Sequence, residues 1–279
     1  MLQQSPPTDL HGNLTSVEHW SRVYRERPAR QAWAPRYYED RLISFWLCEA
    51  LRRCRAETAL EVGAGDSVWL PYLAKQAGLR FVAGLDYSEP GCRRLEQQMA
   101  QYNVRGQVHC VDLFEADPEQ IGRFDFVYSL GLVEHFPDLD RVLRRLRAFV
   151  APGGMLLCEV PNLCSVHGLA MRLWQPELMA KHVCLSRRGL MRAFSRVGLE
   201  QVEGWYAGAF SLAVVAWELY PRWPGLARTT VPRLRRFQER VLDPLLRWLD
   251  VRRGLPGVAP YLFVCGTAPK ACSGIADAA

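Results

Sequence analysis

The chain has 279 residues, nearly half of them apolar and with no low-complexity tract, so most of it is expected to fold around a sizeable core. Its nine cysteines are an odd number with no C-x-x-C pair, which excludes a disulfide or zinc framework and suits a cytosolic protein with reduced thiols. The net charge is +6, and all but three of the 35 basic residues are arginine, a bias of GC-rich bacterial coding sequence.

The N-terminal stretch lacks a basic start followed by an apolar run, so no signal peptide is expected. Residues 1–56 carry Trp20, Tyr24, Trp33, Tyr37, Tyr38 and Trp46 and are read as a helical cap or lid. Val17, Trp20 and Tyr24 share one helical face there. Residues 57–204 then alternate short apolar runs with helical patterns. Strands are predicted at 58–62, 81–86, 108–112, 124–129 and 155–160. Ser88 caps a helix carrying Cys92, Leu95 and Met99, with Pro90 tolerated in its first turn. Leu139, Val142, Leu143 and Leu146 make a second apolar stripe, backed by Arg141, Arg144, Arg145 and Arg147, and "APGG" ends that helix. Ser186 caps a third helix with Leu190, Phe194 and Val197 on one side and Gly198 at its end. A sixth strand follows at "EQVEGWYA" and a seventh at 261–267.

Between these last strands, residues 205–258 form a basic helical insertion, and 259–279 supply the final strand and a tail. From 205 to 254 nine arginines face four acids, most of the net charge of the chain. Leu234, Phe237, Val241, Leu245 and Trp248 are predicted as one apolar helical face. That face could pack on the core, form a dimer face, or lie on an anionic membrane surface, giving a cytoplasmic protein with peripheral contact at the inner membrane. The longest apolar stretch, 207–217, is shorter than the roughly 20 residues of a spanning helix. No RNA or DNA motif is present, so no nucleic-acid partner is expected. The whole reads as a doubly wound α/β fold with a mostly parallel seven-stranded sheet.

The turn "EVGAGDSV" after the first strand is a nucleotide-binding shape. A phosphate loop would need Lys-Ser/Thr after the second glycine, where Asp66 and Ser67 stand. The dinucleotide pattern lacks its third glycine, since Val68 occupies that place. Glu61 and Asp66 would also repel a pyrophosphate, whereas a sulfonium or ammonium would be favoured.

With these features the chain resembles the class I S-adenosylmethionine-dependent methyltransferases over roughly 58–198, and 261–267 fits the last strand of that family. Glu61, Gly63 and Gly65 match the first motif, with Ser67 in place of a usual third glycine. The resemblance implies that Asp86 takes the ribose hydroxyls, that Tyr87 flanks the adenine, that Asp112 accepts from the adenine amino group and that Leu113 lies against the ring. It implies further that Ser129 and its neighbours in "FDFVYSLGLVEHF" approach the methionine part. S-adenosylmethionine is therefore the expected cofactor and a small organic molecule the expected acceptor, methylated at oxygen or nitrogen, as in natural-product, glycan or lipid- and quinone-like tailoring. A non-catalytic cofactor-binding or sensor protein is the alternative, and a nicotinamide-dependent dehydrogenase is disfavoured by Val68 and the acidic turn.

Methyl transfer from a sulfonium needs alignment and exclusion of water more than covalent help. His135, just past the fourth strand, is the candidate general base or positioning group, with packing or capping as its other reading. His182 and His167 read more readily as structural. Glu134 and His135 do not make a helically spaced metal pair and no H-E-x-x-H occurs, so no metal is expected. The oligomeric state stays open.

Overall fold

The computed structural model describes residues 12–26, 37–212 and 222–270. Trp33 and part of the 207–217 apolar stretch lie outside them. Seven strands form one sheet: β1 (Thr58–Val62), β2 (Phe81–Asp86), β3 (Gly106–Cys110), β4 (Phe124–Leu130), β5 (Val150–Pro161), β6 (Glu200–Ala207) and β7 (Tyr261–Thr267). Their order is β3-β2-β1-β4-β5-β7-β6. All neighbours pair in parallel except β7, which runs antiparallel to both β5 and β6. The chain starts in the middle and winds outward twice, so a crevice opens where β1 and β4 part company, outside the carboxyl ends of the strands.

Both faces of the sheet's middle are covered, which is why β1, β2, β4 and the later part of β5 read as nearly continuous apolar runs rather than alternating ones. On one face lie α2 (Tyr38–Cys54), α3 (Trp69–Gln76) and α4 (Glu89–Gln101), whose Leu47, Leu70, Leu73 and Leu95 meet Phe126 and Phe263. On the other, α6 (Leu139–Ala148) and α9 (Arg187–Arg196) bring Leu143, Leu146, Leu190 and Phe194 against Leu60, Val127 and Leu156. Fully burying each such side chain stabilises by about 2 kcal/mol. Short helices α5 (Pro118–Ile121), α7 (Val166–Trp174) and α8 (Pro176–Met179) connect the layers, and α1 (Val17–Glu26) packs against α4. The expected caps form: Ser88 accepts from Gly91 N, and Ser186 from Gly189 N at 3.1 Å.

Three boundaries differ from the sequence expectation. β3 ends at Cys110, so Asp112 stands in the loop beyond it. β5 starts at Val150, and "APGG" lies inside the strand rather than before it. β6 runs to Ala207, with Trp205 buried in the core, so the insertion starts later than residue 205.

The insertion itself is corrected more deeply. It holds α10 (Pro224–Phe237), a π-helical turn (Gln238–Leu242) and α11 (Asp243–Trp248). Ala227, Val231, Gln238, Asp243 and Leu246 turn inward, while Phe237, Val241, Leu245 and Trp248 are exposed, Trp248 by 80 %. The segment carries two competing stripes at helical spacing. Polar Gln238 and Asp243 interrupt the buried one, which made the exposed one look like the packing face. No helix among the described residues is long and apolar enough to cross a membrane.

Candidate active site

A cavity of about 1310 Å³ opens at the carboxyl ends of β1, β2, β4 and β5. Its first wall is the turn after β1. Gly63 N and Ala64 N both donate to Leu85 O, at 2.8 and 3.1 Å, which fastens the turn to the end of β2. Gly63 has φ +74°, and a Cβ there would stand 3.1 Å from the Leu132 side chain. Gly65 has φ +44°, and a Cβ there would run into the Tyr24 hydroxyl. Only glycine fits both the left-handed backbone and the close approach. Gly65 is accordingly roofed by Tyr24 from α1 rather than being part of the cavity lining.

The acidic residues of this end are held in place. Tyr128 Oη donates to Glu61 Oε2 at 2.8 Å. Asp86 accepts from Gly65 N at 2.8 Å and from Ser88 N at 2.7 Å. Burial raises the Asp86 carboxyl to about 6, against the pull of those two N–H groups. Asp112 accepts from Phe114 N at 2.7 Å, and Arg145 donates to Leu113 O at 3.0 Å, pinning the loop that carries both Asp112 and Leu113. Asp66 pairs with Arg94 at 3.4 Å, so part of its charge is answered within the protein.

The structure thus brings Glu61, Gly63, Asp86, Tyr87, Asp112, Leu113 and His135 to one cavity. It does not bring Ser129. That side chain is fully buried on the opposite face of β4 and donates to Cys158 Sγ at 3.4 Å. Strand alternation decides this, and Leu130, Gly131 and Leu132 line the cavity in its place.

His135 lies in a 3₁₀ turn after β4 and is 5 % exposed. Its Nδ1 is 2.8 Å from Lys181 O, which can only accept, so Nδ1 carries the proton and Nε2 a lone pair. Burial, then the nearby His182, depress it to about 3, so the ring stays neutral. Trp20 of α1 sets its edge against this ring, centroids 5.7 Å apart. His182 stacks near it at 4.6 Å and gives its own Nδ1 to Leu178 O at 2.7 Å. Ligating atoms of Glu134, His135 and His182 lie within 4.8 Å of one another. Sequence spacing alone missed this group, because His182 arrives from a distant segment. A divalent ion or a hydrogen-bonded cluster would suit that spacing equally. His167 is structural: Nδ1 is 3.0 Å from Ser165 Oγ, and Nε2 accepts from Ser211 N at 3.3 Å.

The far end of the cavity is assembled from α2, β5, β7, the π turn and α11. Gln238 joins Glu39 to Asp243 there, and Glu159 and Tyr261 also line the cavity. None of them was singled out from the sequence. Ser211 Oγ donates to Glu39, and Gln238 Nε2 donates to Glu39 at 3.3 Å and also to Asp243. Burial raises the Glu39 carboxyl to about 7. The described lining as a whole carries ten carboxylates against Arg22 and Arg235, although the chain is net basic. Such a cavity favours cations and disfavours phosphates.

Comparison with known proteins agrees with this geometry. Residues 30–203 match the family model described as a methyltransferase domain. A "Ubiquinone biosynthesis O-methyltransferase" of Bordetella avium (strain 197N) is 29% identical over 117 residues, covering 42% of this chain and 48% of that protein. The same-named protein of Coxiella burnetii (strain Dugway 5J108-111) is 30% identical over 112 residues, covering 39% and 45%. The match thus spans just under half the length of these relatives. Among solved structures, the N-methyltransferase NodS from Bradyrhizobium japonicum WM9 with S-adenosyl-l-homocysteine aligns with TM-score 0.57 at 11% identity, over 90% of this chain and 99% of that one. The plantazolicin methyltransferase BpumL with SAH aligns with TM-score 0.54 at 14% identity, over 91% and 95%. These two likenesses are of fold.

Proposed function

The chain belongs to the class I S-adenosylmethionine-dependent methyltransferases, with S-adenosylmethionine as cofactor, and from that membership we propose that it transfers a methyl group to the oxygen or nitrogen of a small organic acceptor. The observation that carries this reading is the acidic cavity at the strand ends, with its glycine turn and Asp86 locked together. Glu61, Gly63, Asp86, Tyr87, Asp112 and Leu113 would hold the cofactor there. When bound, it supplies a methyl group on positively charged sulfur. The chain contributes orientation and dryness: Trp20 and Tyr24 of α1 close over the turn and the His135 ring, excluding water from the junction of the two cavity ends. His135, neutral and with a lone pair on Nε2, is too weak a base to keep a proton and instead orients the acceptor through a hydrogen bond.

Incubation of the full chain with methyl-tritiated S-adenosylmethionine and a small-molecule cell extract tests the reading. Label is expected in the extract with the native chain and none with Asp86→Ala. Cofactor uptake without any label transferred would favour a sensor or binding protein instead.

The exposed stripe of the insertion supports a second element of the proposal, peripheral contact with an anionic membrane surface on the cytoplasmic side. Phe237, Val241, Leu245 and Trp248 stand outward, with Arg233, Arg236 and Arg240 exposed on the same helical segment. Co-sedimentation with phosphatidylglycerol vesicles is expected, weakened by Trp248→Asp and absent with phosphatidylcholine. No pelleting with either vesicle would end this part of the reading.

A further inference from the structure

The cavity lining includes two buried carboxyl groups that the described residues answer only in part. Glu159, near the end of β5, is 4 % exposed, lines the cavity, and has an Oε1 atom with no hydrogen-bond partner among the described residues. Asp243, at the start of α11, is 2 % exposed, lines the same cavity, and leaves Oδ2 likewise without a partner. The side-chain donors close by are already committed. Ser211 serves Glu39, and Gln238 is shared between Glu39 and Asp243. A buried carboxylate oxygen without a donor is costly and is tolerated where a ligand completes it. Two such carboxyl groups in the lining of one cavity suit a guest that brings donors and positive charge.

Position narrows the guest further. Glu159 is the register partner of Leu130 on β4 and of Phe263 on β7, and Leu130 also lines the cavity. Glu159 therefore stands one strand away from the Leu130–Leu132 segment that runs on into His135. Leu130, Leu212, Leu234 and Tyr261 give the same space an apolar lining. An apolar body with one cationic donor head fits this combination.

We propose that the acceptor carries a primary or secondary amine, received as an ammonium ion by Glu159, with Asp243 and Glu39 as further carboxyl groups of the same cavity, and that nitrogen is the atom methylated. This inference rests on the methyl-transfer reading above and names its substrate class. An ammonium has no lone pair, so one N–H proton passes to the Glu159 carboxylate before transfer. The freed nitrogen pair then forms the N–C bond as the C–S bond breaks, and the C–S electron pair stays on sulfur, which becomes a neutral thioether. The product is an N-methylammonium ion, and the Glu159 proton leaves to solvent, which returns the site to its starting charge. Burial and the neighbouring Glu134 both raise the Glu159 carboxyl well above its ordinary range, so in the empty cavity it holds a proton, which leaves to solvent as the ammonium ion arrives.

Tyramine, with an amine and a phenol, and tyrosol, with the phenol alone, are the probes. Each is titrated by calorimetry into the full chain saturated with S-adenosylhomocysteine, and the tyramine product from S-adenosylmethionine is located by mass spectrometry. Tyramine is expected to bind at least about tenfold tighter than tyrosol and to be methylated on nitrogen. Glu159→Gln is expected to erase most of that preference while leaving S-adenosylhomocysteine affinity and melting temperature intact. Asp243→Asn is expected to lower it less, and serves if the first variant does not fold. Equal binding of the two probes, heat from neither, or a methyl group on the phenol oxygen would overturn the inference. So would a tenfold loss of S-adenosylhomocysteine affinity in Glu159→Gln, which would assign the carboxylate to the cofactor. Absence of S-adenosylhomocysteine binding to the native chain would instead strike the cofactor reading, so the two failures are distinct.

Discussion

The two ends of the cavity handle negative charge in opposite ways. At the end beside β1, β2 and β3 the carboxylates are engaged: Glu61 by a tyrosine hydroxyl, Asp86 by two backbone N–H groups, Asp112 by one, and Asp66 by an arginine. Elsewhere in the cavity lining, Glu159 of β5 and Asp243 of α11 each keep an oxygen without a hydrogen-bond partner among the described residues. Engaged carboxylates hold one geometry and suit a guest that is always the same. Orphaned ones leave the site unfinished until its guest arrives. In the function proposed above, the difference separates a cofactor seat, built in advance, from an acceptor seat that the acceptor completes.

Three measurements break or sharpen this contrast. The largest effect is expected from Asp86→Ala, which removes the group that joins the glycine turn to the start of α4. Cofactor affinity should fall at least about 100-fold, close to 3 kcal/mol, as read by calorimetry with S-adenosylhomocysteine. Retention within a few-fold would mean that the engaged carboxylates are merely structural. His135→Ala comes next, at the junction of the two ends. Methyl transfer should drop roughly tenfold to a hundredfold with S-adenosylhomocysteine affinity unchanged; equal turnover would remove His135 from the mechanism.

The smallest effect concerns pH. Burial holds Glu39 at about 7 and Glu134 at about 8 in the folded chain, above the ordinary 4.5. The folded state therefore keeps protons that the unfolded state has already released, and stability is lost as pH rises toward those folded values. Buried His135 and half-buried His19 shift the other way, to about 3 and about 4 from an ordinary 6.5, so their contribution is present above pH 6.5. Between pH 6.5 and 8.5 only the carboxyl effect remains. The ligand-free protein should lose stability over that window, with about 1 kcal/mol attributable to Glu39. Thermal melts of the native chain and of Glu39→Gln check this, and a slope that the substitution leaves unaltered would contradict it.

The same contrast explains what could be read from the sequence. Glu61, Gly63, Gly65, Asp86, Tyr87 and Asp112 each stand at or just past the carboxyl end of a strand, so strand order and the sheet edge together place them. Ser129 shows the limit of that reading, since a single step of alternation sent it to the far face of β4. The acceptor end has no such contiguous signal. Glu39, Glu159, Gln238 and Asp243 come from four elements, and the latter two lie on the interrupted helical stripe that concealed how α10 and α11 pack. His182 reaches His135 only through the tertiary fold.

The charge of the crevice is expected to admit a sulfonium-bearing adenosine and to turn away phosphate-bearing ones. Parallel calorimetric titrations of the full chain with S-adenosylmethionine and with NAD test that most directly. Saturable heat with S-adenosylmethionine and none with the dinucleotide is the expected result. Tighter uptake of NAD, or no heat with S-adenosylmethionine, would contradict it.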